Sequence, residues 1–139
     1  MTTYNTNLAS EFYVLSMLHR LGVDAALTLG NKKSVDIIVV NEDRTVTTID
    51  VKGLAGRYDW PADNIRELQN TQHFYALVSF DRKITDPLSP PFVWIIPATE
   101  LARFIHKYET RTVITRANVN AKGQNYLHAW SLIIGQKAS

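Results

Sequence analysis

Four side chains within the first 52 residues have the types and spacing for metal-assisted hydrolysis: Glu11, Asp36, Asp50 and Lys52. Asp36 heads the apolar run Asp36-Ile-Ile-Val-Val40. Asp50 lies near the end of the β-branched run Thr45-Val-Thr-Thr-Ile-Asp-Val51, and the polar cluster Asn41-Glu42-Asp43-Arg44 separates the two. Such runs around a turn cluster predict a β-hairpin. Antiparallel pairing about a turn centred near Asp43 sets Asp36 opposite Asp50 with Cβ atoms about 5 Å apart, and the period of two puts Lys52 on the same face. Facing carboxylates destabilise a sheet unless a cation intervenes. Lys52 supplies part of that charge, and a divalent metal would supply the rest.

Glu11 sits in a predicted opening helix with Leu8, Val14, Leu15 and Leu18 as its neighbours one and two turns away, inside the apolar stripe. Burying an unpaired carboxylate costs several kcal/mol, so Glu11 either reaches the core rim and meets a cation or water-filled site, or bends into solvent as a first-turn acid. Hard oxygen ligands without sulfur suit Mg²⁺ or Mn²⁺. Asp36 and Asp50 are the expected direct ligands, with the main-chain carbonyl of Val51 beside them and Glu11 acting through water or a second ion. Lys52 would orient or deprotonate the attacking water, or neutralise the phosphorane. The expected reaction is phosphodiester hydrolysis. The plainer alternative makes Asp36 and Asp50 strand-end turn or cap residues, with Asp50 salt-bridged to Lys52.

The elements that must carry these groups can be read in order. A helix capped by Thr6 or Asn7 takes its period from Leu8, Phe12, Leu15 and Leu18 and stops at Gly22. Ala25 to Leu29 is a short strand, followed by the hairpin, a loop over Gly53 to Asp59, and a short helix over Asp63 to Asn70. Phe74 to Phe80 and Phe92 to Ile96 are apolar enough for central strands. A helix is expected over Thr99 to Tyr108, an edge strand at Val113 and Ile114, and a last helix from about Asn125 burying Leu127, Trp130 and Ile134. This order implies an α/β fold, a mixed β-sheet flanked by helices, as one domain over residues 1–139.

Composition narrows the function. The 139 residues are 45% hydrophobic and 20% charged, an ordinary globular balance. The absence of cysteine excludes disulfides and thiolate metal sites, and the four histidines lack zinc-binding spacing. The polar start lacks a basic stretch followed by an apolar run, and no apolar segment approaches the ~20 residues of a membrane span, so a cytoplasmic location is expected. The net charge is only +2, but six basic residues against Glu109 give the segment from Leu101 onward +5 and leave −3 for the rest. That asymmetry suits a polyanion partner, and equally a solvated surface.

Glu11 in a leading helix, Asp36 heading an apolar strand, and Asp50-Val51-Lys52 closing the next strand resemble the PD-(D/E)xK nuclease superfamily, in its restriction-endonuclease-like and Holliday-junction-resolvase-like forms. The resemblance covers roughly Asn7 to Gly53. Val35 stands where the named motif has proline. The resemblance implies that Asp36 and Asp50 bind Mg²⁺, that Lys52 assists the hydrolytic water, and that Glu11 is the helix-borne acid. It also implies DNA rather than RNA as the substrate. Some members keep the fold without cleavage, so a noncatalytic module binding nucleic acid or protein is the rival expectation. Small nucleases on this scaffold often act in pairs, which makes a homodimer a further expectation.

Around this site, Lys32, Lys33 and Arg57 are placed to neutralise backbone phosphates, although exposed cations are commonly just solvated. Tyr58 and Trp60 either stack on unpaired bases or cover the sheet edge. Gln69 and Gln72 could contact substrate. Trp94 and Trp130 read as core, and the histidines as surface or packing residues.

Overall fold

The structure is a computed structural model and describes residues 5–28, 35–63, 65 and 68–135. Helix α1 (Thr6–Arg20) starts one residue earlier than its sequence suggests: Asn5 is the cap, and its side-chain oxygen accepts from the Leu8 N–H at 3.2 Å. Thr6 and Asn7 are already helical, so the cap falls to the preceding side chain able to satisfy an orphan N–H. The helix gives way at Gly22, whose φ of +78° is the left-handed conformation that glycine tolerates best. Its buried face is Ser10, Glu11, Val14 and Leu18, whereas Leu8 and Phe12 are 41% and 52% exposed. The expected stripe is therefore rotated, because the sheet receives the helix along its small residue Ser10. Asn5→Ala should lower stability by about 1 kcal/mol, readable as a drop of a few degrees in the thermal midpoint.

After β1 (Ala25–Leu27), the hairpin is formed by β2 (Ile37–Val40) and β3 (Val46–Leu54). Its register, Ile37 opposite Ile49 and Val40 opposite Val46, is the one centred on Asp43. The turn is held by Asp43, whose carboxylate accepts from the Thr45 N–H at 2.9 Å. Buried Asn41 donates to the Thr45 and Thr47 hydroxyls at 3.0 Å each.

Strand β3 then pairs parallel with β5 (His73–Ser79), and β5 pairs antiparallel with β6 (Phe92–Pro97). The result is a five-stranded mixed sheet in the order β1-β2-β3-β5-β6. Every residue of β5 is buried, as its continuous apolar run implies.

A second, three-stranded sheet has the order β4-β8-β7, from β4 (Trp60–Pro61), β7 (Ile105–Lys107) and β8 (Thr112–Ile114). The helix expected over Thr99 to Tyr108 is a 3-10 helix, Ala98–Phe104, which passes directly into β7. Leu101 and Phe104 are buried, but Ile105 joins the edge strand because β8 offers it a ladder partner, Ile114. The expected edge strand at Val113 and Ile114 is instead the middle strand of this sheet. Helix α2 (Arg116–Lys122), capped by the Thr115 hydroxyl at 3.1 Å from the Asn118 N–H, is absent from the sequence reading. The last expected helix splits into a 3-10 turn, Gln124–Tyr126, and α3 (Ser131–Ile134). Part of the helix expected over Asp63 to Asn70 lies outside the described residues.

Alternation along the central strands divides the core in two. Val14 and Leu18 of α1 pack with Ile37, Ile49, Val51, Phe74 and Ile95 on one face. Trp60, Tyr75, Leu77, Trp94, Phe104 and Ile114 pack on the other. Among the described residues no helix is long and apolar enough to cross a membrane.

Candidate functional site

The site arises from a mismatch in strand length. β3 has nine residues and β2 four, and the ladder between them ends at Ile37–Ile49. Among the described residues, no strand pairs with β3 beyond that point on the β2 side. Successive residues of a strand direct their backbone groups to opposite sides. Thr48 and Leu54 bond toward β5, the Thr48 N–H donating to the Gln72 carbonyl and the Leu54 carbonyl accepting from the Phe80 N–H, each at 2.9 Å, so Val51 and Gly53 present their backbone groups to the other side.

Asp36 sits at this opening. Its backbone is held from both flanks, the N–H donating to the Ile49 carbonyl at 3.1 Å and the carbonyl accepting from the Thr28 N–H at 3.0 Å. Its carboxylate Oδ2 accepts from the Val51 N–H at 2.7 Å, supplying the partner that β2 no longer provides. Asp36 is thus a strand-end cap and a cleft residue at once.

A cleft of about 480 Å³ opens there, lined by Asn7 and Glu11 of α1, Asp36, the Val51–Leu54 edge including Lys52, and the Trp60–Pro61 strand. Glu11 is only 8% exposed and lines this cleft, so it lies at the core rim rather than bent into solvent. Helix α1 packs on the face of Ile49 and Val51, while Asp50 and Lys52 alternate to the other. Glu11 and Lys52 nevertheless line one cleft, at the edge of β3 that no described strand pairs. Gly53 sets the approach: a Cβ there would stand 2.0 Å from the Ser10 Oγ.

Asp50 behaves differently. Its carboxylate Oδ2 lies 3.3 Å from the Nε2 of His73, and it is not among the side chains lining the cleft. His73 is buried, its Nδ1 is 2.6 Å from the Thr48 Oγ1, and its ring packs edge-on against Tyr75. His73 is a packing residue, as read from sequence, but also the partner of an acid on the neighbouring strand. Only the parallel pairing of β3 with β5, which no local pattern announces, brings them together. Among the described residues no three His, Asp or Glu side chains stand close enough to form a metal cage. Two carboxylates, Glu11 and Asp36, with the Val51 backbone on the same cleft are what the structure brings together. That donor set suits a hydrated Mg²⁺, which needs only one or two protein carboxylates.

The remaining expectations divide. Lys32 and Lys33 lie outside the described residues. Arg57 is paired with Asp81 through both Nε and Nη2, the latter at 3.1 Å from Oδ2. This hydrogen bonding holds the Asp81 carboxyl below the usual carboxylate range. Tyr58 is 70% exposed, whereas Trp60 is fully buried and forms the cleft wall. Gln72 places its side-chain oxygen 3.3 Å from the Thr47 hydroxyl and so serves the sheet.

Arg116 was not anticipated. Its guanidinium lies over Trp60 and Trp94, 4.9 and 5.3 Å from their centroids, and donates to the Ser79 hydroxyl at 2.7 Å. Burial there pushes its pKa below the ordinary guanidinium value. The indole of Trp60 donates to the Val78 carbonyl at 3.2 Å, so the cleft wall is fixed to the central sheet.

No family model matches the chain, and no curated protein matches it. Among solved structures the chain is similar to a bacterial homing endonuclease, I-Ssp6803I, with a TM-score of 0.57 and 13% identity. The likeness spans 97% of this chain and 93% of that one, so the mixed sheet and its flanking helices form a fold shared with a nuclease.

Proposed function

We propose that this chain is a Mg²⁺- or Mn²⁺-dependent nuclease of the PD-(D/E)xK type that hydrolyses phosphodiester bonds, with DNA as its substrate. The observation carrying this reading is the meeting of Glu11, Asp36, Val51 and Lys52 in one cleft at the open edge of β3. The fold shared with a homing endonuclease supports it.

Asp36 and Glu11 would hold the ion, with the Val51 carbonyl as a neutral oxygen donor. Asp50 would add negative charge from the adjacent position of β3. The ion, when bound, supplies Lewis acidity and a water of lowered pKa. Lys52 acts on the same space: its ammonium orients the attacking water or offsets charge developing on the phosphorus oxygens. Asp36, tied to the Val51 N–H, keeps one carboxylate oxygen fixed while substrate arrives. His73 holds Asp50 in a single orientation by hydrogen bonding. A second copy of the chain would let both strands of a duplex be cut, a state that light scattering reads directly.

The test is incubation of the purified, folded chain with single-stranded, duplex, flapped and branched DNA, with Mg²⁺ or Mn²⁺ and with EDTA. Cleavage that depends on the added ion is the expected result. Failure to cut any of these substrates with either ion would overturn the enzyme reading in favour of a noncatalytic binding module.

A further inference from the structure

We infer that the β7–β8 ribbon is a duplex-DNA backbone contact that lies beside the cleft and positions the substrate across it; this rests on the nuclease reading above. Residues 106–111 are exposed without interruption, and they carry His106, Lys107 and Arg111 against one acid, Glu109. Lys107 and Arg111 have no carboxylate partner among the described residues, unlike Arg57 with Asp81 and Arg103 with Glu100. Uncompensated cations on a projecting ribbon form a surface that phosphates neutralise.

The ribbon is also ordered in advance. The Arg111 guanidinium lies 5.5 Å from the Tyr108 ring centroid, and the His106 ring stands 4.4 Å from Tyr108 in an edge-on contact. Tyr108, 44% exposed, therefore contacts both a cation and an imidazole. Its N–H donates to the Arg111 carbonyl at 2.8 Å and closes the turn. Less conformational freedom is lost on contact than with free-standing side chains.

Position connects the ribbon to chemistry. Trp60 and Pro61 of β4 form a wall of the cleft, β8 pairs with β4 through Trp60–Ile114 and Pro61–Val113, and β7 pairs with β8. Two strand spacings put β7 about 10 Å from that wall. The major groove of B-DNA is ~12 Å wide. A duplex with one phosphate in the cleft thus brings the backbone across its groove to Lys107 and Arg111.

Binding of a fluorescently labelled 30-base-pair duplex, followed by anisotropy in EDTA across a salt series, separates the ribbon from cleavage. Lys107→Gln/Arg111→Gln should weaken binding about tenfold and reduce the slope of log affinity against log salt by about 2, since each phosphate contact contributes ~0.9. Glu109→Gln should strengthen binding. Both variants alter exposed side chains, and unchanged thermal midpoints check that the fold is intact. Equal affinity and slope for the double variant and the unaltered chain would overturn the ribbon proposal while leaving the nuclease reading in place. No DNA binding by the unaltered chain would remove both.

Discussion

Asp36→Asn is expected to reduce ion-dependent cleavage on the order of 10³-fold, the scale on which loss of a charge-stabilising group acts at a reacting centre, while leaving the fold as stable as before. The two effects separate because Asp36 has two roles. Its carboxylate accepts from the Val51 N–H where β2 stops, and it lines the cleft that Glu11 and Lys52 share. An amide oxygen can accept the same hydrogen bond, so asparagine keeps the cap and loses the charge. Asp36→Ala loses both, and a buried N–H left without its partner costs about 1–3 kcal/mol. Melting curves and single-turnover cleavage of all three proteins distinguish the cases. Should the asparagine variant cut as fast as the original chain, Asp36 would be a strand-end cap and nothing more.

Gly53→Ala is expected to destabilise the protein by about 1–3 kcal/mol, the usual cost of forcing extra volume into a packed contact. Its new Cβ would stand 2.0 Å from the Ser10 Oγ, 2.8 Å from the Ser10 Cβ and 3.2 Å from the Thr6 carbonyl oxygen. Two of these atoms belong to a short side chain held by its own hydrogen bond, Ser10 Oγ to the Thr6 carbonyl at 2.7 Å, and the third is helix backbone. Neither can swing away, so α1 must lift from β3. The residue following Ser10 is Glu11, and a displaced helix carries that carboxylate out of the cleft. Cleavage should fall further than stability alone explains. Ser10→Gly in the same protein removes the two nearest atoms and should restore part of the melting temperature, a coupling that a double-mutant cycle measures. A Gly53→Ala protein that melts with the original chain would show that the helix does not depend on this contact.

The hairpin register was legible because three local signals agree: two β-branched runs, a polar turn cluster between them, and a period of two that buries one face. Together they predict the observed pairing of Ile37 with Ile49. Glu11 was half legible. Helical periodicity set it among apolar neighbours and left open whether its carboxylate reaches the core rim or bends into solvent; the helix buries Val14 and Leu18 and exposes Leu8 and Phe12. The close approach of Ser10 to Gly53 fixes that rotation and keeps Glu11 at the rim.

The second sheet was hidden for a related reason. Leu101, Phe104, Ile105 and Tyr108 have helical spacing, yet β8 offers Ile105 a partner in Ile114, and a ladder bond outweighs weak local propensity. A two-residue strand such as Trp60–Pro61 is too short to leave any pattern.

By itself, then, the order of residues determined the hairpin, its register, the buried central strands and the set of acids and amine near its end, since all of these depend on neighbours a few positions apart. Tertiary structure alone decided which of them share a space. It turned Asp50 toward His73 across a parallel pairing 23 residues away in sequence, gave Asp36 the capping of Val51, and set Glu11 and Lys52 on one cleft. Those outcomes depend on where β2 ends relative to β3 and how closely α1 can approach. Both are properties of packing between elements distant in sequence.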